Sequence, residues 1–402
     1  MAKLIGNFDE NDENPRNTII SPNPLPISFL CKAMMLLFYI FCVCTAIQTL
    51  FSLWILWCSA ATRSQKTWQS EQQSGLSIIL CAHNEADRLQ ISLPRLLSQQ
   101  YSGNWEIIVV NDRSTDETPD FLASLAASHP HLRVITVSEA EPRTFPGKKY
   151  PLSRGAAVAQ YENLLLCDAD CYPASDMWAS VMSAPLNQGK ELVAGYGAYE
   201  YHPGLLNSFI RWETLHTFLL YSTFGKSGIP YMAVGRNLAC KKALLLRAQQ
   251  DPLWSLLPSG DDDLLIRLTA NRKNYTCIAD PKTFTYSDAP DSVTSWIAQK
   301  QRHVSTGKLY RKTVQLLLAL YAGSHGLMWI CFIVLYCAGL GYLVASMMLL
   351  RCVFAWSLWS TAASNLHERR INLKLPLLDF LWLLYHLLLS PYIFFKNKKQ
   401  WT

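Results

Sequence analysis

Three groups of residues in this chain have the types and spacing that chemistry needs. The first is Asp168-Ala169-Asp170, which ends the short apolar run Leu164 to Leu166. In an extended chain residues i and i+2 face the same side, so both carboxylates can address one ligand. Like charges that close repel unless a cation lies between or beside them. Hard divalent ions such as Mg²⁺ or Mn²⁺ accept carboxylate oxygens and bridge them to phosphate oxygens. Asp168 and Asp170 are therefore a candidate metal–diphosphate site, with an acidic turn after a strand as the simpler alternative. The second group is Asp261-Asp262-Asp263, preceded by Gly260. Three adjacent carboxylates suit the N-terminus of a helix running from Leu264 onward, and their repulsion also raises at least one pKa, which serves a general base. The third is the loop Pro146-Gly147-Lys148-Lys149, which can bring backbone N–H groups and a cation to a phosphate or a carbonyl. It lacks the Walker spacing, and a basic surface loop is its plain alternative.

The elements that must position these groups alternate between strand and helix. Leu76 to Leu80, Trp105 to Val110 and Leu132 to Val137 are β-rich runs, and Leu164 to Leu166 is a fourth. Roughly helical spacing links Leu89, Ile91, Leu93, Leu96 and Leu97, and Thr115-Asp116-Glu117-Thr118 opens a second helix with Ser114 or Thr115 as its expected cap. Pro151 to Gln160 reads as a short helix. Such repeats predict a mostly parallel α/β sheet covered by helices, with ligands bound off the carboxyl ends of the strands. Asn84, Asp112, Asp168 and Asp170 all fall at such ends.

The succession Ala82-His83-Asn84-Glu85, Val110-Asn111-Asp112-Arg113-Ser114, Gly147-Lys148 and Asp168-Ala169-Asp170 resembles the nucleotide-sugar half of family 2 glycosyltransferases, over roughly residues 75 to 310. The resemblance implies a GT-A fold of Rossmann-like character. It further implies that Asn84 and Glu85 cup the nucleotide, Asp112 contacts the base and Lys148 lies near base and diphosphate. Asp168 would lie towards the ribose and sugar, and Asp170 would ligate the metal. Where the family often has glycine, Arg113 argues against a tight left-handed turn. The stretch Tyr231 to Lys242 resembles the lead into the acceptor pocket. Gly260 to Leu268 resembles the family's Glu-Asp-x-x-Leu-x-x-Arg-Leu, with Gly260 in the Glu position and Asp261 as base, or Asp262 in its place. Gln299, Arg302 and His303 resemble Gln-x-x-Arg-Trp, with His303 for Trp. On a helix the three share one face, where an arginine fork can clamp a diphosphate.

Half of the 402 residues are hydrophobic, and they are unevenly spread. Ala33 to Thr62 carries no formal charge, and Thr313 to Leu366 carries Arg351 alone. About 20 apolar residues span a bilayer as a helix. The expected organisation is a disordered polar tail (1–27), a transmembrane anchor (28–62), a GT-A domain with interfacial helices at its C-terminal end (75–312), a transmembrane hairpin around Arg351 (313–366), and a transmembrane or re-entrant helix (375–396). Arg63 and Lys66 after the first segment place the domain in the cytoplasm by the positive-inside rule, at a bacterial cell membrane. Twelve cysteines without a Cys-x-x-Cys pair read as reduced thiols. The net charge of +6 gathers beside apolar segments and suits anionic headgroups rather than nucleic acid.

The chain therefore reads as an inverting, metal-assisted transferase using Mg²⁺ or Mn²⁺. It would take a nucleotide-sugar donor and pass the sugar to a lipid or lipid-linked saccharide. A processive polysaccharide synthase and a catalytically silent membrane scaffold of the same fold are the alternatives.

Overall fold

The computed structural model describes residues 27–63 and 73–391; the expected N-terminal tail and most of the linker at 64–74 lie outside them. The uncharged first segment forms one helix, α1 (Ile27–Arg63). The alternating region follows as β1 (Leu76–Ala82), α2 (Ala86–Leu97), β2 (Trp105–Asp112), α3 (Thr118–Ser128), β3 (Leu132–Val137), α4 (Lys149–Val158) and β4 (Asn163–Leu166). Then come β5 (Tyr172–Pro173), α5 (Trp178–Ser183), β6 (Leu192–Ala194), β7 (Gly197–Tyr199) and the 22-residue α6 (Leu205–Lys226). The domain closes with β8 (Leu238–Lys241), α7 (Lys242–Gln249), α8 (Asp261–Thr269), β9 (Tyr275–Cys277), β10 (Thr285–Ser287) and α9 (Val293–Val304).

Seven strands pair in the order β3-β2-β1-β4-β8-β6-β9. β3, β2, β1 and β4 run parallel, β8 is antiparallel to both β4 and β6, and β6 and β9 are parallel. β1 is buried along its whole length, because helices cover both faces of the sheet. Ile78 and Leu80 pack with Leu89, Leu93 and Leu96 of α2, whereas Ile79 and Cys81 face the opposite layer with Ala156 of α4. That period-two split is what a strand buried on both sides requires. A small sheet, β5-β10-β7, stands beside the main one.

Two local expectations fail. Ser114 and Thr115 do not cap α3: the Ser114 hydroxyl accepts from the Asn84 N–H at 3.0 Å, and the Thr115 N–H donates to Asn84 Oδ1 at 2.8 Å. Asp116 instead accepts from the Thr118 N–H at 3.0 Å. Arg113 does adopt the left-handed conformation, at φ 60°. Its guanidinium donates to the carbonyls of Ser138 (3.2 Å) and Glu141 (2.6 Å), and those bonds hold a backbone geometry that a side chain otherwise disfavours.

Three helical stretches are long and apolar enough to cross a membrane: Cys31–Ser59, Lys312–Asn365 and Arg369–Leu389. The second is broken at Gly339, whose φ of 98° interrupts the helix between α10 (Lys312–Leu335) and α11 (Gly341–Asn365). Met328, Cys331 and Leu335 of α10 share one buried cluster with Val344, Met348 and Cys352 of α11 and Phe41 of α1, so the two helices fold back on each other. The turn therefore sits at Gly339 and not at Arg351. Arg351 lies within α11, where its Nη1 donates to Asp379 Oδ2 at 2.5 Å. Asp379, from α12 (Leu375–Leu384), also has His325 Nε2 at 2.9 Å from its Oδ1. Gln48 of α1 donates to the Tyr321 carbonyl (2.8 Å) and Ser324 Oγ (2.9 Å), so polar pins tie the apolar helices.

A charge left alone in an apolar helix bundle is costly, whereas removing both partners is not. Arg351→Leu is expected to destabilise the protein by about 3–5 kcal/mol. Arg351→Leu/Asp379→Leu should recover most of that loss, measured as thermal midpoint in detergent.

Candidate active site at the carboxyl edge of the sheet

Because β1, β2 and β4 are parallel, the residues that follow them meet at one edge. Antiparallel β8 starts at that same edge, which brings Gly235 and Arg236 there as well. After β1, Asn84 takes a left-handed turn at φ 56°, and its side chain braces the loop after β2 through the N–H groups of Thr115 and Asp116. Glu85 pairs with Arg88 at 2.8 Å. Burial raises the Glu85 carboxyl, and Arg88 draws it back. Asp112 at the end of β2 is wholly buried, and both its oxygens accept from Arg143 Nη2, at 2.9 and 2.8 Å.

Lys148 is the centre of the arrangement. It forms an ion pair with Asp168. Burial opposes its charge, but Asp168 and then Asp261 raise its pKa well above the usual lysine range. Its neighbour Lys149 is completely buried and donates to the carbonyls of Trp254 (2.8 Å) and Leu257 (2.7 Å). Burial lowers Lys149 to about 8, against Asp261 and Asp262. Gly147, at φ 60°, lies so close to the next loop that a Cβ there would meet the Pro258 carbonyl at 2.0 Å. These contacts lock the loop ahead of α4 to the loop ahead of α8 and hold Lys148 in the fields of Asp168 and Asp261 together. The Cys81 thiol, ending β1, is pushed up to about 12 by burial, and it too lies in the fields of Lys148, Asp261, Asp168 and Asp112.

The three aspartates form the first turn of α8, so the helix starts at Asp261 and not at Leu264. Each has separate surroundings. Asp262 accepts from the backbone N–H of Gly235 (2.7 Å) and of Asp263 (2.8 Å). Burial and its two acidic neighbours push its carboxyl well up. Asp263 accepts from the hydroxyls of Thr306 and Tyr310, and burial raises it to about 7. The Asp261 side chain has no hydrogen-bond partner among the described residues, and its Oδ2 lies 3.7 Å from where a Cβ on Gly235 would stand. Gly260 has φ 76°, and a Cβ there would fall 2.0 Å from Thr306 Cγ2. That is why a glutamate does not fit at this position.

Asp168, Asp170 and Cys171 place their ligand atoms within 4.8 Å of one another. The Cys171 thiol donates to Asp170 Oδ1 at 3.2 Å, and burial, then Asp170 and Asp168, push its pKa well up. The hard donors are therefore the two carboxylates, a set that suits Mg²⁺ or Mn²⁺. Burial and Asp168 raise the Asp170 carboxyl, the strain that a bound cation would relieve.

Sequence reasoning missed Arg143 and Arg236. Arg236 donates to the Gly197 carbonyl (2.6 Å) and Ser287 Oγ (3.1 Å), and its guanidinium lies 4.2 Å from the Tyr199 ring centre. Burial opposes its charge, but Tyr199, Cys171, Asp170 and Asp168 together raise it. Its signal was an arginine directly ahead of the apolar run of β8; Arg143, in a polar loop, had none. Gln299 Nε2 donates to the same Tyr199 hydroxyl at 3.1 Å, which ties α9 to this group. The Arg302 carbonyl accepts from Ser259 at 3.1 Å. The side chain of His303 lies outside the described residues.

Residues 77–243 match the pattern of Glycosyl transferase family 2. The chain is 33% identical over 131 residues to a beta-monoglucosyldiacylglycerol synthase of Nostoc sp., covering 32% of this chain and 27% of that protein. It is 31% identical over 103 residues to a poly-beta-1,6-N-acetyl-D-glucosamine synthase of Staphylococcus epidermidis, covering 25% of this chain and 23% of that protein. The matched stretch is thus about a quarter of each relative's length. Among solved structures, a mannosyltransferase from Pyrobaculum calidifontis in complex with GDP-Man and Mn²⁺ superposes with a TM-score of 0.55 at 18% identity, over 86% of this chain and 99% of that one. That likeness concerns the fold. The mostly parallel sheet, the carboxylates gathered at its edge and the match over residues 77–243 agree: the chain carries a family 2 glycosyltransferase domain of GT-A fold, flanked by helices long and apolar enough to span a membrane.

Proposed function

We propose that this protein transfers a sugar from a nucleoside-diphosphate sugar to a hydroxyl of a lipid or lipid-linked saccharide at the cytosolic membrane face, with inversion. The observation that carries the reading is Lys148 paired with Asp168 while it also lies in the field of Asp261; the reading assigns Asp168 to the donor side and Asp261 to the acceptor side. Asp261 is the general base. Of the three aspartates on α8 it alone has a carboxylate not taken by hydrogen bonds among the described residues, and it lies beside the Gly235 backbone. It removes the proton of the acceptor hydroxyl as that oxygen attacks the anomeric carbon. A divalent ion, Mg²⁺ or Mn²⁺, held by Asp170 and Asp168 would supply positive charge against the departing diphosphate. Lys148 and Arg236 act on that same charge, and Arg302 with His303 extends the clamp from α9. Asn84, Glu85 and Asp112 form the nucleotide cradle. Asp112 is held by Arg143, so the base meets the pair and not a lone carboxylate. Gln299 fixes Tyr199 beneath Arg236.

The lipid acceptor is supported by the diacylglycerol-based relative and the flanking apolar helices. Processive synthesis is the second reading, favoured by similarity to a polysaccharide synthase. The length of the product separates the two.

Purified protein in detergent, given UDP-, GDP- and TDP-sugars with Mg²⁺ or Mn²⁺, is expected to release the nucleoside diphosphate. Chelation of the metal should suppress that release. Asp261→Asn should lower turnover by at least about 100-fold while nucleotide-sugar binding persists; full activity in this variant would pass the base role to Asp262. If no sugar nucleotide binds at all, the silent-scaffold reading replaces this one.

Asp263 makes a separate pH prediction. Its folded-state pKa is raised from 3.8 to about 7, so between those values the folded protein holds a proton that the unfolded chain has lost. Stability from this group is complete below that window and falls as pH rises through it. Asp263→Asn has no proton to lose. Its thermal midpoint should match the parent near pH 4 and exceed it at pH 8, by the equivalent of up to about 4 kcal/mol.

A further inference from the structure

A second cavity lies beside the catalytic edge, where the domain meets the joint between the last two apolar segments. It measures about 560 Å³ and is lined by Tyr199, Tyr201, Tyr286, Arg211, Arg369 and Arg370. Glu200 also lines it and accepts from the Tyr172 hydroxyl. Arg369 and Arg370 are exposed at the start of Arg369–Leu389, and Lys374 of the same joint donates to Ser208 Oγ of α6 at 2.7 Å. Neither arginine forms an ion pair or hydrogen bond among the described residues; Arg370 lies over the Tyr201 ring at 4.0 Å. Arg211 is different. Its side chain is 6% exposed and pairs with the buried Glu368, yet its Nε has no hydrogen-bond partner. One buried guanidinium and two exposed arginines without ion pairs thus line one cavity against the single carboxylate of Glu200, an excess of positive charge that suits an oxyanion.

We infer that this cavity binds the phosphate of an anionic membrane lipid. The source is argued from position. The joint separates the stretch that ends at Asn365 from the one that begins at Arg369, which is where a spanning chain leaves the hydrocarbon and meets headgroups. Aromatic side chains with polar tips, here three tyrosines, also suit that depth. The cavity shares a wall with the catalytic site. Tyr199 lines it, carries Arg236 at 4.2 Å and accepts from Gln299. A lipid held here by its phosphate stands one aromatic ring from the groups that face the donor diphosphate. Its use as the acceptor rests on the transfer reading above; its binding does not.

The test uses the full chain in detergent and three probes: dioctanoyl phosphatidylglycerol, dioctanoyl phosphatidylcholine and inorganic phosphate, each titrated by calorimetry. The parent protein is expected to bind the anionic lipid at least tenfold more tightly than the zwitterionic one and more tightly than inorganic phosphate. Arg369→Gln/Arg370→Gln, at exposed positions that leave the Arg211–Glu368 pair intact, should weaken the anionic lipid at least tenfold with an unchanged thermal midpoint. Equal binding of both lipids, or parent-like binding by the double variant, overturns the site. Phosphate binding as tight as the lipid's overturns the membrane source. Nucleotide-sugar binding, measured on the same two proteins, keeps the readings apart. It should be unchanged in the double variant, and its absence from the parent sinks the transfer reading while the lipid result stands.

Discussion

Crowding of negative charge at one sheet edge is the constraint around which this domain is arranged. Asp112, Asp168, Asp170, Asp261 and Asp262 are delivered there by β2, β4 and α8, and carboxylates gathered in partly buried surroundings repel. The fold answers with cations placed from elsewhere. Arg143 takes both oxygens of Asp112, Lys148 pairs with Asp168, and Arg236 lies in the fields of Asp168 and Asp170. Where no cation reaches, backbone N–H groups or hydroxyls serve, as at Asp262 and Asp263. What remains is Asp170, whose carboxyl is raised by burial and by Asp168 beside it, and Asp261, whose side chain has no hydrogen bond among the described residues.

Holding Lys148 between two acidic groups needs the rigid junction behind it. Lys149 spends its buried ammonium on two carbonyls of the loop ahead of α8, and Gly147 allows that loop to approach within contact distance. Gly260 then admits Thr306, whose hydroxyl reaches Asp263. Gly260 is thus part of one packed unit with α8 and the segment after α9.

The apolar helices are joined to the domain through α6. Trp212 packs against Trp359 and Trp382, and Phe209 against Trp296 and Tyr385, so one helix touches α9 and both of the last two apolar segments. Arg211, between those two aromatics in sequence, turns to Glu368 in the joint. Through this contact the position of the joint, with Arg369 and Arg370, is set relative to Tyr199 and the catalytic edge.

The strand–helix alternation, the apolar segments and the clustering of Asn84, Asp112, Asp168 and Asp170 at strand ends were all legible in the sequence, because side-chain periodicity and strand polarity are local properties. Local rules failed where a distant partner decided the outcome. Arg113 accepts a left-handed turn because carbonyls 25 and 28 residues later hold its guanidinium. Arg351 reads as a break in an apolar run, but its partner Asp379 makes it an interior residue of α11. Arg143, 31 residues from Asp112, gave no local signal at all. The sequence by itself determined which residue types reach the carboxyl edge and that the chain carries membrane-length helices. Only the tertiary structure decided which of three adjacent aspartates has a side chain without a hydrogen bond, which cation faces which carboxylate, and where Arg369 and Arg370 stand. Those depend on contacts across tens to hundreds of residues, which no short window of sequence contains.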